Sequence, residues 1–324
     1  MSATQVAPKP LAIALGFVAV YLVWGSTYLA MRIGVRTMPP FMLGSARFFI
    51  AGLLIWAWYA AKGKTHLARP HWRNTAGSGV LLLVFGNGGV VWSLQHIPSG
   101  LAALIVGTVP LWIVAIEWVR GVRKPSPRVI AGVVAGLLGI AVLLGPDVLA
   151  SWQATSARAE DQAHAIGVLV VLCASLAWAM GSLLSRGTRL PEAPLLPISM
   201  QMLSGGAALL TLSLATGEWS RFAWVQVSAE ALMAIAYLIV GGSLVAYSAY
   251  IWLLQVLPPA RVATYAFVNP VVAVFLGSAL AGEPLTSRTL LAAAIIVGAV
   301  ALITLVPSTA KPAKLPEPGG GKFA

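Results

Sequence analysis

WSLQHIPSGLAALIVGTVPLWIV, residues 92–114, and WLLQVLPPARVATYAFVNPVVAV, residues 252–274, are two copies of one pattern. At a constant shift of 160 positions, without a gap, Trp92 falls on Trp252, Leu94 on Leu254, Gln95 on Gln255 and Pro98 on Pro258. Ala103 then falls on Ala263, Pro110 on Pro270 and Val114 on Val274. Trp, Gln and Pro are not residues that an apolar composition aligns by chance, so the chain carries an internal repeat. A second register, shifted by 154, covers the start of each half: Trp24 falls on Trp178, Leu29 on Leu183, Arg32 on Arg186, Pro40 on Pro194 and Ser45 on Ser199.

Of the 324 residues, 59% are hydrophobic and only 9% charged, with a mean hydropathy of +0.87. Soluble domains carry roughly 25% charged residues, so this chain cannot cover a water-facing surface and takes the lipid bilayer as its partner. The net charge of +12 sits in short breaks between apolar runs, the pattern of cytoplasmic membrane loops rather than of nucleic-acid binding. The single cysteine, Cys173, lies inside an apolar run, has no intrachain partner for a disulfide and reads as a packing residue. Only Lys9 precedes the first apolar run and no small-x-small site follows it, so the start does not read as a cleavable signal peptide.

A spanning helix needs about 20 largely apolar residues. Ten stretches qualify: 11–31, 41–60, 77–96, 101–119 and 128–146, then 165–185, 195–215, 231–254, 261–281 and 289–306. The connections at 96–100 and 256–260 are short and contain Pro, which predicts two tight helical hairpins. With the N-terminus inside, the inner loops collect Lys62, Lys64, Arg69, Arg73, Arg120, Arg123, Lys124, Arg128, Arg186, Arg189 and Arg261. The outer loops hold only Arg32, Arg36, Arg158, Arg221 and Arg288, so the bias places both termini in the cytoplasm. Five spans per half is an odd number, so the second copy enters the membrane from the opposite face. The expected fold is an all-α membrane protein with ten transmembrane helices as two inverted five-helix repeats. Its parts are a cytoplasmic N-terminal segment (1–10), a first repeat (11–146), a polar linker (147–164), a second repeat (165–306) and a Pro, Gly and Lys-rich cytoplasmic tail (307–324) expected to be disordered.

WGSTYLAMRIG at 24–34, PPFMLGSARFFIAGLLI at 39–55 and LGSALAGEPLTSRTLLAAAIIVGAVALI at 276–303 resemble EamA-type proteins of the drug/metabolite transporter superfamily. The resemblance covers 11–306 and implies a ten-helix exporter of small metabolites, often amino acids or related compounds, in the bacterial cytoplasmic membrane. The Gly-Glu that the family carries near the end of each fourth helix is present as Gly282-Glu283. In the first half Arg123 stands at that place, with Glu117 about six residues earlier.

Arg47 is the only basic residue well inside an apolar run, six residues and so about 9 Å past Phe41. Burying a charge at mid-helix costs about 2.5–3.5 kcal/mol on insertion scales. One reading makes it the partner of an anionic substrate group; the other makes it a scaffold residue that snorkels or ties helix two to neighbouring carbonyls. The family resemblance speaks for the scaffold, because such proteins often carry Arg here whatever their substrate. The matching position in the second half is Gln201. Glu117 is the only carboxylate inside an apolar run, and is either a proton-coupling group or an interfacial partner of Arg120 or Arg123.

The remaining substrate-cavity candidates are polar and aromatic: Trp24, Tyr28, Asn87, Trp92, Gln95, Thr108, Trp178, Tyr247, Tyr250, Trp252, Gln255, Tyr265 and Asn269. Amides within hydrocarbon must find partners or line a wet cavity, and nearby Gly86, Gly88, Gly89, Gly241 and Gly242 permit close helix packing. The competing role of this set is helix–helix glue, with Trp92 and Gln95 as interface anchors. Pro98, Pro110, Pro258 and Pro270 are candidate helix breaks or hinges.

There is no HExxH, CxxC, P-loop or Gly-x-Ser-x-Gly motif, and His66, His71, His96 and His164 have no metal-ligand spacing. No catalytic residue, metal or cofactor is expected. The leading expectation is a secondary transporter of a small-molecule substrate; its rivals are a passive channel or facilitator and a membrane-embedded transferase. Reporter fusions after Lys62 and Lys124 are predicted to read as cytoplasmic and one near Ala159 as periplasmic. The same side for Lys62 and Ala159 contradicts the inverted repeat.

Overall fold

The computed structural model describes residues 10–121, 125–153, 159–223, 226–257, 259–263, 265–282 and 285–304. All ten expected spans are helices: α1 Pro10–Gly34, α2 Pro40–Ala61, α3 Trp72–Ser93 and α4 Ser99–Val119, then α5 Pro127–Gln153. The second set is α6 Ala159–Ser185, α7 Leu196–Ala215, α8 Ala229–Val256, α9 Tyr265–Ala281, preceded by the single turn Pro259–Val262, and α10 Ser287–Thr304. There is no strand among the described residues. The protein is an all-α membrane protein built as two inverted five-helix repeats. α5 and α6 both run into the stretch expected as linker; 154–158 between them, the tail 307–324 and Pro258 lie outside the described residues.

The punctuation of the helices repeats with the sequence. α2 starts at Pro40, a residue suited to the first turn because its missing N–H has no helical partner there. α2 and α7 stop against Gly63 and Gly217, and α4 and α9 against Gly121 and Gly282, all in the left-handed region at φ 65–70°. Glycine reaches that conformation without a Cβ penalty, which is why it ends helices.

Among the described residues, three helices contain π-helical turns: α1 at Ala19–Val23, α3 at Val80–Gly88 and α8 at Leu238–Tyr247. α3 and α8 occupy the same place in the two halves. α4 breaks at Gly107 and Thr108, just ahead of Pro110, and its two pieces are Ser99–Val106 and Val109–Val119.

The tightest joint between the halves is the crossing of α2 and α7. Ser45 Oγ donates to the Gly206 carbonyl at 2.9 Å, and Ser199 Oγ donates to the Gly52 carbonyl at the same distance. Ser45 and Ser199, like Gly52 and Gly206, are repeat mates at the 154 shift. The early residue of each helix meets the later residue of the other, so the two run antiparallel about a local twofold axis. A Cβ on Gly52 would lie 3.0 Å from the Leu203 nitrogen, and one on Gly206 would lie 2.8 Å from the Phe49 nitrogen. Lipid tails are as apolar as the helices, so close packing and interhelical hydrogen bonds must hold this joint. α5 and α10 form the second such pair, where a Cβ on Gly139 would lie 2.8 Å from Ile296 Cγ1.

Ser45→Ala and Ser199→Ala are expected to destabilise the protein by similar amounts, about 0.6–1.7 kcal/mol each, in unfolding titrations in detergent micelles. Gly52→Leu and Gly206→Leu should each lower membrane abundance far more. A large effect at one member of a pair and none at its mate contradicts the twofold joint.

Candidate functional site

A small cavity lies at mid-membrane between the halves. α1 contributes Trp24, Thr27, Tyr28 and Met31, spaced i, i+3, i+4 and i+7 and so on one helix face. α3 contributes Gly86, Asn87 and Val90; α4 contributes Val106; α6 contributes Ala174, Ser175 and Trp178; α9 contributes Tyr265 and Asn269. None of these side chains is charged. The volume is about 40 Å³, room for roughly three waters, so this conformation leaves little space at the centre.

The walls are aromatic. The repeat mates Trp24 and Trp178 meet edge to face at 5.3 Å. Tyr250 lies 4.9 Å from Trp24 and 5.7 Å from Trp178, and Tyr265 lies 5.5 Å from Trp24 and 5.6 Å from Tyr250. The Tyr250 hydroxyl accepts from Trp178 Nε1 at 3.2 Å and shares a hydrogen bond with Ser182 Oγ at 2.7 Å. These bonds fix the ring positions without any ionic group.

The π turns explain how the polar groups arrive. The turn in α3 carries Gly86, and a Cβ there would lie 2.9 Å from Trp178 Cε3. The missing side chain lets the indole of α6 close on α3 and brings Asn87 to the cavity. Asn87 Oδ1 is buried with no hydrogen-bond partner among the described residues. The Asn269 amide nitrogen, oriented as its neighbours require, donates at 3.0 Å to the carbonyls of Val20 and Tyr21, both inside the π turn of α1. π turns concentrate at functional sites because they free such backbone groups.

Of the sequence candidates, Trp24, Tyr28, Asn87, Trp178, Tyr265 and Asn269 line this cavity. Tyr250 packs behind it. Tyr247 is one layer further out, its hydroxyl donating to Gln201 Oε1 at 2.9 Å. Thr108 is buried at the break in α4, where its hydroxyl donates to the Ile105 carbonyl at 2.6 Å. Trp252 packs against α1 at Gly16, and Gln255 is half-buried nearby; neither lines the cavity. Glu117 is half-buried near the end of α4, outside the cavity. Pro98 precedes the first residue of α4, and Pro270 lies within α9.

Arg47 does not snorkel: it is 1% exposed. Nε donates to Ser243 Oγ at 2.8 Å, Nη1 approaches Met31 Sδ at 3.6 Å, and the guanidinium lies 4.7 Å over the Phe48 ring. It thus ties α2 to the π turn of α8 and to α1. Its mate Gln201 is fully buried, donating to Ser78 Oγ at 2.9 Å and Ser185 Oγ at 3.0 Å.

Trp92 and Gln95 line a separate vestibule of about 530 Å³ at the ends of α1, α3 and α7, together with Arg36, His96, Glu218 and Arg221. The Lys and Arg bias places this face outside. Glu218 caps α2: its carboxylate accepts from the Phe41 and Met42 amides at 3.2 and 2.8 Å, and from Ser213 Oγ at 2.6 Å. A carboxylate there meets both the orphan donors and the positive end of the helix dipole. Sequence reasoning missed Glu218, Thr27, Met31, Ser175 and Ser182. The last four lay within reach, since they share the helix faces of Trp24 and Trp178 at three- and four-residue spacing.

Over residues 11–145, and again over 165–305, the chain matches the EamA-like transporter family. It is 37% identical over 289 residues to the inner membrane transporter YedA of Escherichia coli, a match covering 89% of each chain. It is 23% identical to the transporter YoaV of Bacillus subtilis, covering 87% of this chain and 93% of that one. It is 24% identical to a Salmonella typhimurium protein named "Probable amino-acid metabolite efflux pump", covering 87% and 91%. A crystal structure 23% identical to the chain superposes with a TM-score of 0.63, covering 92% of this chain and 98% of that one, and so shares its fold. The duplicated match, the two sets of five helices and the inner-membrane relatives together make this chain a member of the EamA-like transporter family, a multi-pass protein of the inner membrane.

Proposed function

We propose that the protein is a secondary-active exporter of small metabolites, amino acids or related compounds and toxic amphiphiles, working by alternating access of its two inverted repeats. The observation that carries this is the small cavity at the meeting of the repeat mates Trp24 and Trp178, set apart from the vestibule at one membrane face. Such a cavity is what two inverted halves enclose midway between their two arrangements. A passive pore would instead keep a continuous path. The efflux pump of Salmonella typhimurium supports the export direction and the amino-acid class by analogy.

The aromatic walls suit an apolar or ring-bearing body, while Asn87 and Ser175 offer hydrogen bonds. The sequence has no nucleotide-binding loop, so an ion or solute gradient is the energy source in this reading. The substrate needs no cofactor, and the reading includes no catalysis and no nucleic-acid partner.

The test is efflux from cells expressing the protein, across a panel of amino acids, nucleosides and toxic amines, followed by counterflow in proteoliposomes. At least one solute should show saturable export with trans-stimulation. Trp178→Ala and Trp24→Ala should each lower its initial rate by about tenfold or more, in line with the loss of about 1.4 kcal/mol or more of aromatic contact, at equal amounts of inserted protein. Non-saturating flux without trans-stimulation would replace the exporter with a facilitator.

A further inference from the structure

Arg47 and Gln201 are repeat mates on the two helices that form the central joint, and the structure treats them unequally. Gln201 is saturated: both amide hydrogens reach hydroxyl oxygens, and its carbonyl receives the Tyr247 hydroxyl. Arg47, equally buried, has one good acceptor, Ser243 Oγ, and one weak one, the thioether of Met31. Among the described residues, its hydrogen bonds run from Nε and Nη1, none runs from its second terminal nitrogen, Nη2, and no carboxylate pairs with it. Met31 and Ser185 are themselves mates at the 154 shift. Where the second half supplies a hydroxyl, the first half supplies sulfur.

The neutral Gln201 shows that this position in the joint does not require a charge. A buried guanidinium held by one hydroxyl and one thioether, with no carboxylate among the described residues, costs more than it returns, so an anion that completes it in another conformation is the economical explanation. The route for that anion is in place. Met31 and Thr27 line the cavity with one side and stand against Arg47 with the other. Arg47 Nη2 and the Thr27 methyl both crowd Gly242, where a Cβ would lie 2.8 Å from the first and 3.1 Å from the second. Methionine has three rotatable bonds and repacks easily.

We infer that Arg47 is a carboxylate site gated by Met31: a rotation of the Met31 side chain joins the guanidinium to the cavity, and a substrate carboxylate takes Nη1 and Nη2 as a two-pronged pair. The body of the substrate then lies on Trp24, Trp178 and Tyr265. This deepens the exporter reading by giving its substrates a carboxylate, and it rests on that reading only for the meaning of occupancy.

The test measures binding without transport. The wild-type chain in lipid nanodiscs is titrated with radiolabelled phenylacetate and with phenylacetamide, which matches it in shape and lacks its charge. Phenylacetate should bind at least about tenfold tighter, and Arg47→Lys should remove that advantage while changing phenylacetamide affinity by less than about twofold. Met31→Ala removes the thioether and the gate, so it should strengthen phenylacetate binding by at least about threefold more than it changes phenylacetamide binding. That variant decides the matter if Arg47→Lys does not fold. Equal affinity for the two probes, binding of neither, or equal changes in both on Met31→Ala would overturn the inference. Charge-selective binding without export would sink the exporter reading alone. Export with charge-indifferent binding would sink this inference alone.

Discussion

The reciprocal pair of hydrogen bonds between α2 and α7 is the constraint on which the rest of the structure depends. Ser45 reaches the Gly206 carbonyl and Ser199 reaches the Gly52 carbonyl, and each glycine admits the backbone of the other helix. In lipid there is no hydrophobic gain from bringing two apolar helices together. Contact at van der Waals distance and a few buried hydrogen bonds have to do it, and both need small residues at the crossing. Because the two helices are repeat mates, the joint is also the local twofold axis. It sets the first half against the second in antiparallel register and brings Trp24 of α1 to Trp178 of α6.

From that joint the cavity follows by packing. Gly86 in the π turn of α3 lets Trp178 approach, and the π turn of α1 exposes two carbonyls that Asn269 satisfies. Irregular backbone is tolerated at membrane depth only where it is buried in protein or lines a wet space; here the carbonyls of the α1 turn are taken by Asn269, and Gly86 and Asn87 of the α3 turn line the cavity. The result is a small, uncharged, aromatic pocket with an amide oxygen at Asn87 that has no partner among the described residues and a cation behind its wall, Arg47, held by one hydroxyl and one thioether. The two halves share a fold and differ in chemistry, and the difference falls beside the cavity.

The order of apolar runs, the two registers and the charge bias made the ten helices and their inversion legible in the sequence. Trp24 and Trp178 were legible for the same reason, since a repeated Trp at the start of each half has few bland explanations. The register alone misleads elsewhere. Trp92 and Gln95 match Trp252 and Gln255, yet the first pair lines the outer vestibule while the second packs away from both cavities. Inversion carries equivalent residues to opposite faces, and those faces differ in one conformation. The π turns left no trace in hydrophobic period, because one extra residue shifts the helix face by about 100° and the glycines nearby hide the slip. Glu218 was invisible because its role is to cap α2, a helix that ends its sequence neighbourhood far away.

Under the proposed alternating access, the two faces of the protein open in turn. The α3–α4 hairpin and the α8–α9 hairpin are repeat mates on opposite faces, so a shift between the two arrangements must expose one as it covers the other. In a Cys173→Ser background, His96→Cys and Leu257→Cys each report one hairpin through the rate of reaction with a charged thiol reagent in nanodiscs. Adding an exported solute should raise one rate and lower the other. Rates that rise together or fall together would contradict alternating access by inverted repeats.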